Sequence, residues 1–221
     1  MTEIPVNSLY YGFQWEGQNM GRFSLFVRLQ GCPSSCFHCP HQTAAGAFGL
    51  ACEVPGEEVT VDQMLQKDHR TATQTFAVLQ PDQLARIIWD FQPGPFDLVI
   101  QGGEPASHDL LELTHILAAN NYSVSLHTGG ELPFAVCEDT HISIRPRTRL
   151  ALPQALNCAD EVIFICRDPS DLAWLDILME HVDDDETEVF IQPGAPGSLQ
   201  FCADAASNRG FRLSYAPDAI K

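Results

Sequence analysis

From residue 81 onward the chain alternates two kinds of apolar pattern, and that alternation restricts its possible folds more than any other feature. Helical period is clear over 81–91, "PDQLARIIWDF", where Pro81 suits the first turn and Leu84, Ile87, Ile88 and Phe91 share one face. Further helices are expected over 107–121, with Ser107 as N-cap, and over 153–159, 169–181 and 198–209. Short, mostly apolar runs predict strands at 22–29, 97–103, 122–128, 141–146, 161–166 and 188–193. Strands that alternate with helices predict a parallel sheet with crossover helices. Six are too few for a closed eight-unit barrel. The expected class is therefore α/β, a partial, open barrel with a mostly parallel sheet of about six strands. With 221 residues, one core domain over 1–221 can bury enough surface, and residues 40–80, which lack a strong period, are expected as a partly irregular insertion.

Open sheets of this kind bind ligands at the carboxyl ends of their strands. That rule selects Gly31 to Cys39, Gln101 to Pro105, His127 to Gly130, Arg145 to Arg147, and Gln192 to Gly194. These segments hold much of the chain's glycine and polar character.

Net charge excludes one large class of partner. At −17 the surface repels phosphate backbones, so nucleic acid is not an expected partner. The acidic run "DDDETE" at 183–188 reads as a solvated loop. No apolar stretch is long enough to span a bilayer, so no membrane partner is expected. The first residues lack a basic and then apolar leader, which predicts a cytoplasmic protein with reduced thiols. Of its eight cysteines, Cys52, Cys137, Cys158, Cys166 and Cys202 are scattered, and are expected as buried small apolar residues.

The other three cysteines form "GCPSSCFHC", with Cys32, Cys36 and Cys39 directly after an expected strand. Structural zinc needs four ligands, and His38 or His41 could supply the fourth. A chance group of buried thiols fits poorly with so polar a loop. The third reading is a four-iron, four-sulfur cluster with three thiolate ligands and one open iron, able to bind a small molecule. This C-x3-C-x2-C spacing resembles the hallmark of the radical S-adenosylmethionine superfamily. "IQGGEP" at 100–105 resembles its Gly-Gly-Glu-Pro element. There Gly102 and Gly103 are expected to let backbone approach the methionine moiety, and Glu104 to accept from its ammonium.

More specifically, the chain resembles 7-carboxy-7-deazaguanine synthase, a radical S-adenosylmethionine family of queuosine and 7-deazapurine biosynthesis. The resemblance runs nearly end to end, through "QWEG" at 14–17, Arg28 before the cysteine loop, "GGEPASHDLLELTHIL" and "PQALNCADEV". It implies a lyase that rearranges 6-carboxy-5,6,7,8-tetrahydropterin to 7-carboxy-7-deazaguanine with loss of ammonia. It also implies a homodimer that takes electrons from a flavodoxin or ferredoxin. By resemblance Gln14, Glu16 and Arg28 hold the substrate, with Phe13, Trp15, Gln101 and His127 expected beside them. Glu16 and Arg28 are expected as catalytic, and so is His41, which departs from the family and is expected to do acid–base work or bind substrate. His38, Cys39, Gly102, Gly103, Glu104, Arg147 and Gln192 surround S-adenosylmethionine, and Cys32, Cys36 and Cys39 hold the cluster.

Several family positions differ. Pro40 and His41 stand where the family has Asp-Thr, whose Thr binds magnesium, and imidazole is a poor magnesium ligand. Gln101 replaces a Thr, Arg145-Pro146-Arg147 replaces Ser-Pro-Lys, and His127 replaces a Glu. The family's His-Lys pair after the last strand is missing from "LSYAPDAIK". Two alternatives therefore stay open: a diverged radical enzyme with another substrate, including a glycyl-radical activase, and a non-catalytic regulatory iron–sulfur protein on the same scaffold.

Overall fold

A computed structural model of the chain describes residues 2–33, 56–68, 74–147, 149–183 and 185–215. The chain gathers into two compact units. The first comprises the chain up to Gly12, Phe23–His127 and Phe134–His141, and the second Phe13–Arg22, Thr128–Pro133 and the chain from Ile142 on.

In the first unit the strands are β1 (Ile4–Phe13), β2 (Phe23–Leu29), β3 (Glu57–Glu58), β4 (Thr75–Leu79), β5 (Asp97–Gly102) and β6 (Ser123–Thr128). Their spatial order is β6-β5-β2-β1-β4-β3. β2, β5 and β6 run parallel, with Arg28 opposite Gln101 and Ile100 opposite Leu126. β1 pairs antiparallel with β4. Helix α1 (Val61–Gln66) starts at Thr60, whose hydroxyl accepts from the Gln63 amide. Helix α2 (Pro81–Phe91) has Pro81 in its first turn and buries Leu84 and Ile88. Helix α3 spans Leu111–Ala119. Leu25, Val27, Leu29, Leu98, Ile100, Leu84, Ile88, Leu113 and Leu117 are buried at the sheet–helix boundary. Each such aliphatic chain contributes about 1.5–3 kcal/mol on leaving water.

The second unit carries β7 (His141–Ile144), β8 (Glu161–Cys166), β9 (Glu188–Pro193) and β10 (Arg212–Leu213), all parallel in sequence order. Helices α4 (Pro153–Leu156), α5 (Ser170–Met179) and α6 (Leu199–Arg209) connect them. Phe164, fully buried, meets the Trp174 ring edge to face at 4.9 Å.

The fold is α/β with mostly parallel strands, and neither set of strands closes on itself. The six expected strands are all present within two residues of their expected ends. Four more exist among the described residues. β1 carries no strand signal in the sequence because Pro5, Asn7 and Gly12 interrupt its apolar pattern, and β4 because it is five residues long in an irregular stretch. Asn7 and Ser8 are nevertheless buried in β1. The Asn7 amide donates to Gln30 Oε1 at 2.8 Å, and the Ser8 hydroxyl donates to Asn7 Oδ1 at 3.2 Å.

Two local expectations need correction. Ser107 does not cap α3: Pro105–Ser107 form a 3-10 turn, and the Ser107 hydroxyl donates to the Glu104 carbonyl at 2.6 Å. The chain then turns again, and Asp109 Oδ1 accepts from the Leu111 amide at 3.1 Å where α3 begins. Cys158 is exposed, not buried. It follows α4 on the side away from the core, its thiol donating to the Gln154 carbonyl at 3.2 Å. Cys137, Cys166 and Cys202 are buried as expected.

Candidate functional site

The root of the cysteine loop lies at the carboxyl end of β2. Gln30 is fully buried there and is held through three groups. Its amide donates to the Pro5 carbonyl at 2.8 Å, its side-chain oxygen accepts from Asn7, and its carbonyl lies 3.0 Å from His108 Nε2. A carbonyl only accepts, so Nε2 carries the proton in that contact. Burial lowers the His108 pKa, while the Gln30 carbonyl opposes that shift. Gly31 and the half-buried Cys32 follow.

The Gly-Gly-Glu-Pro turn ends the neighbouring strand β5 and lies directly on this root. The Gly103 amide donates to the Leu29 carbonyl at 3.2 Å, and the Glu104 amide to the Gly31 carbonyl at 2.9 Å. Gly102 has φ +143°, and a Cβ there would strike the Leu29 backbone. A Cβ on Gly103 would strike the Gly31 carbonyl and come within 3.1 Å of the Cys32 Cβ. The missing side chains admit the protein's own backbone, Leu29 at Gly102 and Gly31 at Gly103. Glu104 is buried and its Oε1 accepts from the Ala106 amide at 3.0 Å, which fixes the carboxylate's direction.

Arg28 and Gln101 face each other across β2 and β5. Tyr10 joins them: its hydroxyl accepts from Arg28 Nη2 at 3.2 Å and from Gln101 Nε2 at 2.6 Å. The Arg28 guanidinium also lies 5.1 Å from the Tyr10 ring centre, a cation–π distance. Tyr10 in turn stacks on Phe26 at 5.2 Å. The half-buried His127 lies near the end of β6. Lys67, just past α1, donates to Asn7 Oδ1 at 3.1 Å and to the Thr75 carbonyl at 3.2 Å. Burial, and secondarily the Arg28 guanidinium, lower its pKa to about 8.

The second unit carries the "QWEG" segment. Gln14 is buried, its amide donating to the Arg22 carbonyl at 2.9 Å while its own carbonyl accepts from the Gly21 amide at 2.8 Å. Phe13 and Trp15 are exposed, with ring centres 6.2 Å apart. Glu16 pairs with Arg145, whose Nη1 is 2.6 Å from Glu16 Oε1. Their side chains are only 19% and 14% exposed, so water screens the pair little. Glu16 Oε2 and Arg145 Nε are buried without a hydrogen-bond partner among the described residues, which leaves one acceptor and one donor unused on the pair. The half-buried Arg147 follows at the end of β7. Gln192 is buried at the end of β9, its Oε1 accepting from the Ser214 hydroxyl at 3.4 Å.

The structure thus brings Cys32 to Gly103, Arg28 to Gln101, and Glu16 to Arg145. It leaves Phe13 and Trp15 facing solvent. Cys36, His38, Cys39 and His41 lie outside the described residues, as do Pro40 and Cys52. Among the described residues no three His, Cys, Asp or Glu side chains converge as a metal site. Neither Tyr10 nor Lys67 is marked in the sequence as a polar partner of this region.

An open, mostly parallel α/β fold with a Gly-Gly-Glu-Pro turn seated on a cysteine loop defines the radical S-adenosylmethionine class of scaffold. No family model matches the chain. The 7-carboxy-7-deazaguanine synthase of Escherichia coli K12 is 27% identical over 220 residues, covering 96% of this chain and 95% of the relative. That of Buchnera aphidicola is 23% identical, covering 95% and 94%. The crystal structure of QueE from Escherichia coli superposes with a TM-score of 0.86 at 26% identity, covering 97% of this chain and 94% of the other. The chain is a homologue of the 7-carboxy-7-deazaguanine synthases.

Proposed function

We propose that the chain is a radical S-adenosylmethionine lyase that converts 6-carboxy-5,6,7,8-tetrahydropterin to 7-carboxy-7-deazaguanine in 7-deazapurine biosynthesis. The observation that carries this reading is the near full-length match to 7-carboxy-7-deazaguanine synthases in both sequence and backbone. The chain is read as one core domain, because each match covers at least 94% of both partners.

Cys32, Cys36 and Cys39 would hold a four-iron, four-sulfur cluster. The residues present fit it: Cys32 is a half-buried thiol, not in a disulfide, on a loop root fastened by Gln30 and the Gly103–Glu104 turn. Thiolates are the ligands such clusters take. With S-adenosylmethionine bound, the cluster would supply the electron that cleaves the sulfonium, making available a 5′-deoxyadenosyl radical to take a hydrogen from the carbon that bears the pterin carboxylate. His38, Gly102, Gly103, Glu104, Arg147 and Gln192 would surround S-adenosylmethionine. Arg28 would pair bidentately with the substrate carboxylate, and Tyr10 already fixes its orientation. By the same resemblance Gln14, Glu16, Gln101 and His127 are assigned to the pterin's donor–acceptor edge, and Phe13 and Trp15 to its binding. Glu16 Oε2 supplies an acceptor for that purpose. His41 is assigned acid–base work, and magnesium is not required in the family's usual form.

A flavodoxin or ferredoxin donates the electron, and the working form is a homodimer. Reduced thiolate ligands and a low-potential cluster call for a reducing compartment, the cytoplasm. Deuterium placed on the carboxylate-bearing carbon of the substrate tests the reading. Because the conversion is redox-neutral, the hydrogen taken is given back and S-adenosylmethionine re-forms, so deuterium should appear at the 5′ carbon of the S-adenosylmethionine recovered; product formed without that label contradicts the assigned hydrogen abstraction.

A further inference from the structure

We propose that Glu161, outside the substrate and cofactor residues assigned above, is a positioning residue that aims Glu16. The proposal rests on the assignment of Glu16 to the pterin. Glu161 opens β8 and is 2% exposed, lying between Ser143 and Glu188 on the flanking strands. A carboxylate at such a place is costly unless donors meet it. The backbone of the "QWEG" turn provides one: the Gln18 amide donates to Glu161 Oε2 at 2.6 Å. The Gln18 side chain donates in the same direction, to the Asp160 carbonyl at 3.0 Å.

Gly17 makes this approach possible. Its φ is +73°, and a Cβ there would fall on both oxygens of the Glu161 carboxylate. The glycine is needed at this point for two independent reasons, a left-handed backbone and contact with an acid. The turn also closes on itself, with the Met20 amide donating to the Gly17 carbonyl at 3.3 Å and the Gly21 amide to Gln14 at 2.8 Å. It can therefore move as a piece unless something anchors it.

Two adjacent strands provide that anchor. Arg145, directly after β7, holds the Glu16 side chain, and Glu161, at the start of β8, holds the Gln18 backbone. Arg145 is itself set by its amide, which donates to the Thr128 carbonyl at 2.8 Å. Residues 16 and 18 are thus fixed on either side of Gly17. Two fixed points leave the Glu16 carboxylate little freedom to swing, and Oε2 keeps one direction. Without Glu161 the turn keeps its side-chain tethers, Glu16 to Arg145 and Gln18 to the Asp160 carbonyl, but loses the anchor of its backbone and can pivot about them.

The test uses the reconstituted full-length enzyme. Glu161→Ala should speed hydrogen exchange in the 14–22 peptide by about ten- to a hundredfold, the worth of one hydrogen bond to a charged group. It should raise KM for 6-carboxytetrahydropterin about tenfold or more, while 5′-deoxyadenosine release without substrate stays within about twofold. Glu161→Gln keeps an oxygen that accepts from Gln18, and should restore both exchange and KM. Gly17→Ala pushes the turn off the same carboxylate and should reproduce Glu161→Ala. Unchanged exchange in Glu161→Ala overturns the anchor. Raised exchange with unchanged KM and a lower kcat overturns the positioning role, because general destabilisation reduces the active fraction alone. If the native enzyme does not act on the pterin, the function proposed above fails, and exchange in the 14–22 peptide alone decides the anchor.

Discussion

Gly103→Ala tests how tightly the Gly-Gly-Glu-Pro turn and the cysteine loop depend on each other. The added Cβ would meet the Gly31 carbonyl, a backbone group with no rotamer to change, and would approach the Cys32 Cβ at 3.1 Å. Either β5 or the cysteine loop must yield. Yielding breaks the bonds from Gly103 to Leu29 and from Glu104 to Gly31, at 3.2 and 2.9 Å. Two such bonds contribute roughly 1–3 kcal/mol together, and if the backbone holds instead of yielding, overpacking costs a similar amount in their place. Against a total stability of about 5–15 kcal/mol the protein still folds. For a chain of this size the Tm should fall by about 2–12 °C. The more telling loss is at the proposed cluster, since Cys32 is displaced from its place. Iron retained after anaerobic desalting should drop below about half of the native value. Leu178→Ala, a core truncation in the second unit costing about 2–5 kcal/mol, is the control and should lower Tm without loss of iron. If Gly103→Ala lowers Tm and still retains native iron, the turn does not support the cysteine loop, and the reasoning fails.

Other consequences can be checked separately. Tyr10→Phe removes the hydroxyl that accepts from both Arg28 and Gln101; KM for the pterin should rise about tenfold, with 5′-deoxyadenosine release without substrate unchanged. Lys67 has a folded pKa of about 8 against 10.5, so between those values the unfolded chain holds a proton that the native chain has lost. Stability should therefore gain with rising pH across that window, and Lys67→Met should show less of that gain in urea titrations. The effect should be small, because much of the side chain meets water. Among the described thiols outside the cysteine loop, Cys158 should be the first alkylated by iodoacetamide, being exposed. Burial first, and then nearby Cys202, raise the Cys166 pKa to about 12, so it should not react until the protein unfolds. Early alkylation of Cys166 would contradict that account.

The strands with uninterrupted apolar runs were legible in the sequence. All six sit at or near their expected bounds, and α2 spans the expected residues 81–91. β1 was not legible, because a strand containing Pro5, Asn7 and Gly12 looks like a loop until Gln30 and Thr75 are seen to satisfy its polar groups. The Gly-Gly-Glu-Pro turn could be read as a motif, but its packing on Gly31 could not, since that depends on strand pairing across about seventy residues. Glu16 was named from its neighbours in "QWEG". Its partner Arg145 lies 129 residues away, and sequence spacing carries no trace of such a pair. Glu161 carried one unused signal, an acid at the head of the apolar run "EVIFIC".

The most direct test of the proposed activity is a single anaerobic assay. Reconstituted protein, dithionite, S-adenosylmethionine and 6-carboxytetrahydropterin are combined with and without magnesium, and the products are weighed by mass spectrometry. The account predicts 7-carboxy-7-deazaguanine in both mixtures. Release of 5′-deoxyadenosine with no deazaguanine in either mixture, from protein holding about four irons per chain, would contradict it.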